Sequence, residues 1–230
     1  MRRKKTIIAA MAAVLLLIAF LSICAGRFRL SAPEVFGALL GKGTASVDLV
    51  VFRLRLPRIL CSILIGGALA VSGMAYQGLF QNPLVSPDIL GVSSGACVGA
   101  VASILLGLGS SWTMLFAFST GILSVSAAVL LAVLTKKRKN VVMVFSGIII
   151  GRFMSSVVGI LIFFSDDESQ LGAIVEWEMG SFAKVTLRDL VVFGPLLVLC
   201  IAALLLLRWR INLMSVGEEE AKALGVHVAR

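Results

Sequence analysis

Apolar runs alternate with short polar breaks along the whole chain, and six of the runs reach the length a membrane demands. Ile7 to Cys24, Ile59 to Phe80, Ile89 to Leu108, Trp112 to Leu134, Val141 to Phe164 and Leu190 to Leu207 are of the right order, since about twenty residues at 1.5 Å each cross roughly 30 Å of hydrocarbon. They predict an all-α, polytopic membrane protein with about six transmembrane helices. Between the first two runs, Ser31-Ala32-Pro33-Glu34 has the form of a capping box with a proline just inside, which predicts a short external helix ending at Gly41.

The second run is not uniformly oily. Gly66, Gly67, Ala68, Ala70, Ser72, Gly73, Ala75 and Gly78 occupy positions that leucine would fill in a lipid-facing helix, and small residues at this density let other helices approach closely. Gln81-Asn82-Pro83-Leu84 then breaks the helix, because proline disfavours helical geometry in the residue before it and supplies no N–H. A new helix is predicted to start near Pro87, with Ser86 as its cap and Asp88 opposing the positive helix end. Gly91, Gly95 and Gly99 follow at intervals of four and form one close-packing stripe.

Composition narrows the class. At 59% hydrophobic, 14% charged and a mean hydropathy of +1.05, the chain lies outside the range of soluble domains. The net charge of +9 does not mark a nucleic-acid binder, because the cations cluster beside apolar runs without aromatic interleaving. Arg2 to Lys5, Lys136 to Lys139, and Arg208 with Arg210 all fall on one side if the N-terminus is cytoplasmic. Arg53, Arg55 and Arg58 then lie on the outer side, against that rule, where they can anchor to lipid headgroups. The first run is too long for a signal peptide. Cys24, Cys61, Cys97 and Cys200 are scattered through apolar runs and read as small hydrophobes.

One charge breaks the apolar runs. Arg152 falls about eleven residues into the fifth, close to the bilayer midplane. Insertion scales put its cost at about 2.5 kcal/mol or more, so it is expected to face protein or water. Ser146, Gly147, Gly151, Ser155, Ser156 and Gly159 make the same helix small and polar, as a helix lining a pathway would be. Near the end, Ser215-Val216-Gly217-Glu218 is a second capping box, Glu219 and Glu220 favour a positive helix end, and Gly225 is a helix stop. No phosphate-binding loop or metal-ligand motif appears, and the one histidine is His227.

Leu56-Pro57-Arg58, the small-residue span closing on Gln77-Gly78-Leu79-Phe80-Gln81-Asn82-Pro83-Leu84, and Pro87-Asp88-Ile89-Leu90-Gly91-Val92-Ser93-Ser94-Gly95-Ala96 together resemble the permease subunits of FecCD-type ABC importers for iron(III)-siderophores, haem and cobalamin. Within the external loop expected from Asp166 to Asp189, Trp177-Glu178-Met179-Gly180-Ser181 resembles a further element of that family, although Trp177 equally suits an interfacial anchor.

The resemblance implies a bacterial cell-membrane permease of about ten helices, with roughly a hundred residues beyond Arg230. It implies a single permease domain over 1–230 that ends in a cytoplasmic coupling segment, 212–230. Arg55 and Arg58, with Arg53 as a weaker third, would dock an extracytoplasmic binding protein. Asn82, Pro83 and Leu84 would form the cytoplasmic gate, and Arg152, Ser146, Ser155 and Ser156 would line the translocation pathway.

Gly217, Glu218, Glu219, Glu220, Ala221, Leu224 and Gly225 would form the coupling helix that meets a cytoplasmic ATPase subunit. That partner would hold ATP and Mg²⁺; this chain would carry no cofactor, metal or catalytic site. A second permease subunit and membrane lipid complete the expected partners. The function implied is import of an iron(III)-siderophore, with haem or cobalamin as alternatives and a secondary carrier or channel as the rival class.

Overall fold

The computed structural model describes residues 2–135, 140–165 and 168–216. In order these form α1 (Arg2–Cys24), α2 (Ala32–Leu39), α3 (Ala45–Asp48), a π-helical turn (Leu49–Arg55), α4 (Leu56–Phe80), a 3-10 turn (Pro87–Leu90), α5 (Val92–Leu105), α6 (Ser110–Leu134), α7 (Asn140–Phe163), α8 (Glu168–Met179) and α9 (Leu187–Val216). Among the described residues five stretches are long and apolar enough to cross a membrane: Arg3–Cys24, Ala45–Phe80, Ser110–Leu134, Asn140–Phe163 and Leu187–Ser215.

The remaining expected span, Ile89 to Leu108, is different. Its helix α5 has 14 residues, about 21 Å of rise against roughly 30 Å of hydrocarbon. Gly91 and Gly107 take left-handed backbone at φ 73° and 66°, which ends regular helix on either side. The helix also begins at Val92 instead of Pro87, and its cap is not Ser86, whose side chain makes no capping bond. The Asp88 carboxylate does that work, accepting from the Ser93 N–H at 3.1 Å.

By contact the chain divides into two compact units, Met1–Ala68 with Phe182–Ala203 and Leu69–Ser181 with Leu204–Arg230. In the first, α2 follows the sequence closely. The Glu34 carboxylate accepts from the Ser31 N–H at 2.7 Å and from its hydroxyl at 2.6 Å. These bonds, the hydroxyl's first, hold the Glu34 carboxyl below its ordinary range. Gly41, at φ 73°, closes the segment. Its apolar face packs Val35 and Ala38 against Ile23, Leu30, Val47 and Val51, with Phe20 and Phe36 rings 5.2 Å apart.

In the second unit α5 is the central helix, packed against α6, α7 and α8. Its glycine stripe is what allows this. A Cβ on Gly95 would lie 2.9 Å from the Thr120 carbonyl oxygen, one on Gly99 would lie 2.6 Å from the Phe116 carbonyl carbon, and one on Gly91 would meet Gly151 Cα at 2.8 Å. Backbones this close leave no space for a methyl group. Three buried hydroxyls on these faces are paired: Ser103 and Thr113 share a hydrogen bond at 3.1 Å, and Ser124 donates to the Gly91 carbonyl at 2.9 Å.

Two segments are more helical than the sequence suggests. Residues 168–179, expected as loop, form α8, whose Ile174 is fully buried beside Val101 and Val158. Helix α9 runs nine residues past Leu207, because no glycine or proline falls between Leu196 and Val216. Ser215 is therefore helical, its hydroxyl donating to the Asn212 carbonyl at 2.7 Å; Gly217 and Glu218 of the expected capping box lie outside the described residues.

Candidate functional site

Three sets of expected functional residues fall in the described part of the chain. The first is the arginine group at the start of α4. Arg53 is exposed. Arg55 donates through both terminal nitrogens to the carbonyls of Ile23 and Phe28, so its fork ties the end of α1 and the turn after it to the π-helical turn. Arg58 donates to the Ala183 carbonyl at 2.6 Å, while its Nε has no partner among the described residues. All three lie in the first unit.

The second set is the hinge after α4. Gln81 takes φ 53°, the one non-glycine residue with positive φ among those described, a conformation that costs an L-residue energy and persists where surroundings demand it. The Asn82 side-chain oxygen accepts from the Leu84 N–H at 2.9 Å, and so builds the turn that Pro83 allows. Asn82, Pro83 and Leu84 are exposed, Leu84 at 88%. Beneath them Val85 and Leu90 pack with Phe80.

Residues that sequence reasoning passed over hold this hinge to its neighbours. The Gln81 amide donates to the Met214 carbonyl at 2.9 Å, and a Cβ on Gly78 would meet Ile211 Cγ2 at 3.2 Å. The last turns of α9 thus lie against the hinge. Asn140 donates to the Leu79 carbonyl at 3.4 Å from the start of α7. The signal for Gln81 was its place directly before Asn-Pro, where a helix must end and free carbonyls need donors.

The third set is on α7. Ser146 is buried, with Gly147 and Val158, on the packed face. Arg152, Ser155 and Ser156 are exposed. Ser155 donates to the Gly151 carbonyl at 3.0 Å and lies 3.3 Å from the Ser94 hydroxyl of α5; Ser156 donates to the Arg152 carbonyl at 3.0 Å. The coupling residues Gly217, Glu218, Glu219, Glu220, Ala221, Leu224 and Gly225 lie outside the described residues.

A multi-pass helical membrane protein is thereby defined, with a broken helix held against the end of its last long helix and an arginine midway along another. Residues 14–230 match the FecCD transport family, and the chain belongs to that family. It is 40% identical over 226 residues to the molybdate import system permease protein MolB of Haemophilus influenzae, covering 94% of this chain and 66% of that one. The hemin transport system permease protein HmuU of Yersinia pestis is 38% identical over 183 residues, 76% of this chain and 54% of that one. A solved structure, described as a metal-chelate type ABC transporter in an inward-facing conformation, superposes with a TM-score of 0.81 at 34% identity, covering 97% of this chain and 67% of that one. The chain spans 66% or less of the length of the two permease relatives.

Proposed function

We propose that this chain forms part of the permease subunit of an ATP-driven importer that carries a metal-bearing compound into the cell. The family match across residues 14–230 is the observation that carries this reading. The expected iron(III)-siderophore remains one candidate. It is joined by a metal oxyanion, because a relative at 40% identity is a molybdate permease, and by haem, through the hemin permease.

On this reading a loaded binding protein docks on the outer side. Of the three arginines at the start of α4, Arg53 is the exposed one available to its acidic groups, while Arg55 and Arg58 hold the platform through backbone carbonyls. Charges at such a rim steer encounter and register more than they add affinity, so release stays possible. The hinge at Asn82 to Leu84 serves as the inner gate. Its bond from Gln81 to Met214 supplies a short mechanical path from the segment after α9, where an ATPase subunit is expected to bind.

The test is uptake by membrane vesicles that contain the complete transporter, supplied in turn with radiolabelled molybdate, a ferric siderophore and hemin. Uptake of one of them that requires ATP and survives collapse of the proton gradient is the expected result. Uptake driven by that gradient without ATP identifies a secondary carrier and overturns the proposal.

A further inference from the structure

Arg152 is the one charged residue within the apolar runs of this chain. It lies about 18 Å from the start of α7 and about 16 Å from its end. A fully extended arginine reaches roughly 7 Å from its Cα, so the guanidinium cannot snorkel to either interface of a bilayer with a roughly 30 Å core.

Its surroundings within the second unit do not neutralise it. The side chain is exposed, because the packed face of α7 is the stripe Gly147, Gly151 and Val158, and Gly151 turns toward Gly91. Neither Ser155 nor Ser156 has a hydrogen to spare, as both donate to carbonyls of their own helix. Among the described residues no carboxylate or carbonyl accepts from the guanidinium. Asp88, the acid at the start of the α5 segment, is engaged in capping. What remains is a five-donor fork at mid-membrane depth beside a small polar patch of Ser94, Ser155 and Ser156.

We infer that Arg152 is a specificity-determining residue that selects a negatively charged substrate, one bearing carboxylate or oxyanion groups. This rests on the importer reading above. An aqueous pathway removes the cost of the charge at rest, and a passing anion meets a planar donor set suited to two-point contact. Because the Ser155 and Ser156 hydroxyls are already donating to their own helix, the arginine is the main donor to the passing anion, which keeps binding weak enough for onward passage. A neutral chelate gains nothing from the same group.

The experiment compares wild type, Arg152→Gln and Arg152→Lys in the assembled transporter, permease with its ATPase and binding protein, reconstituted in proteoliposomes. The probes are molybdate, a ferric chelate of net negative charge and a neutral ferric chelate. Arg152→Gln is expected to lower uptake of the anionic probe that wild type carries by about tenfold relative to the neutral one, equivalent to about 1.4 kcal/mol, with Arg152→Lys in between.

An Arg152→Cys variant in a background of Cys24→Ser, Cys61→Ser, Cys97→Ser and Cys200→Ser is expected to react with a membrane-impermeant thiosulfonate, and molybdate is expected to slow that reaction. An unchanged anionic-to-neutral ratio in Arg152→Gln, equal loss of both probes, wild-type preference for the neutral chelate, or an unreactive thiol in the Arg152→Cys variant overturns the inference while leaving the importer reading intact. Failure of wild type to move any probe under ATP overturns the importer reading, and the inference with it.

Discussion

The two units of this chain are held together by different means. The first is a small aliphatic core stitched at its edges by side chains that reach backbone carbonyls. Gly66 and Gly67, in the same unit, have nothing within 4 Å of a would-be Cβ. The second unit draws α5, α6 and α7 together until glycines meet backbone, with polar pairs such as Ser103 and Thr113 buried between them. Glycine-rich helices therefore differ in meaning: in α5 the missing side chains are contacts, whereas in the first part of α4 they are open surface.

This contrast is easiest to break in the second unit. Gly95→Leu forces α5 away from α6 at Thr120 and Ser124, and a loss of about 3 kcal/mol or more is expected, read as a lowered thermal midpoint in detergent. Little change would mean that the helices separate without cost. In the first unit the largest effect belongs to Arg55→Ala, which strips the donors from the Ile23 and Phe28 carbonyls. About 2 kcal/mol is expected in a denaturant titration, with Arg53→Ala close to wild type.

Ser124→Ala removes one of the two donors to the Gly91 carbonyl, leaving the Gly95 N–H, and should cost about 1 kcal/mol. Gly66→Ala, in open space, should raise stability by roughly 0.5 kcal/mol through helix propensity; a loss there would reveal a close neighbour. The smallest effect is that of Glu34. Its carboxyl titrates below the ordinary glutamate value of 4.5 when folded, so its contribution is present above that value and fades as the pH falls through the lower folded one. The stability difference between wild type and Glu34→Gln should therefore close on acidification.

Spans, hinge and glycine stripe were legible in the sequence because each rests on local chemistry: apolar length, an Asn-Pro break, spacing of four. The α2 segment was legible to the atom, since Ser31 and Glu34 bond each other. What escaped depends on tertiary surroundings. The 14-residue length of α5 follows from Gly91 and Gly107 turning left-handed, which an apolar count cannot see. Its cap moved from Ser86 to Asp88 because the 3-10 turn places the acid under Ser93. Helix α8 forms because Ile174 finds Val101 and Val158, partners far away in sequence. The two carbonyl acceptors of Arg55, about thirty residues upstream, likewise leave no local signal.

Helix α5 also bears on how the chain enters a membrane during synthesis. A 14-residue segment containing two serines and a glycine in its first half is a poor substrate for one-at-a-time partitioning into lipid, which favours about twenty apolar residues. Its backbone fits against α6 through Gly95 and Gly99, and the two are joined by a tight turn at Gly107 to Gly109. The pair is thus suited to leave the insertion machinery together as a helical hairpin, with α6 supplying the hydrophobicity and α5 the shape.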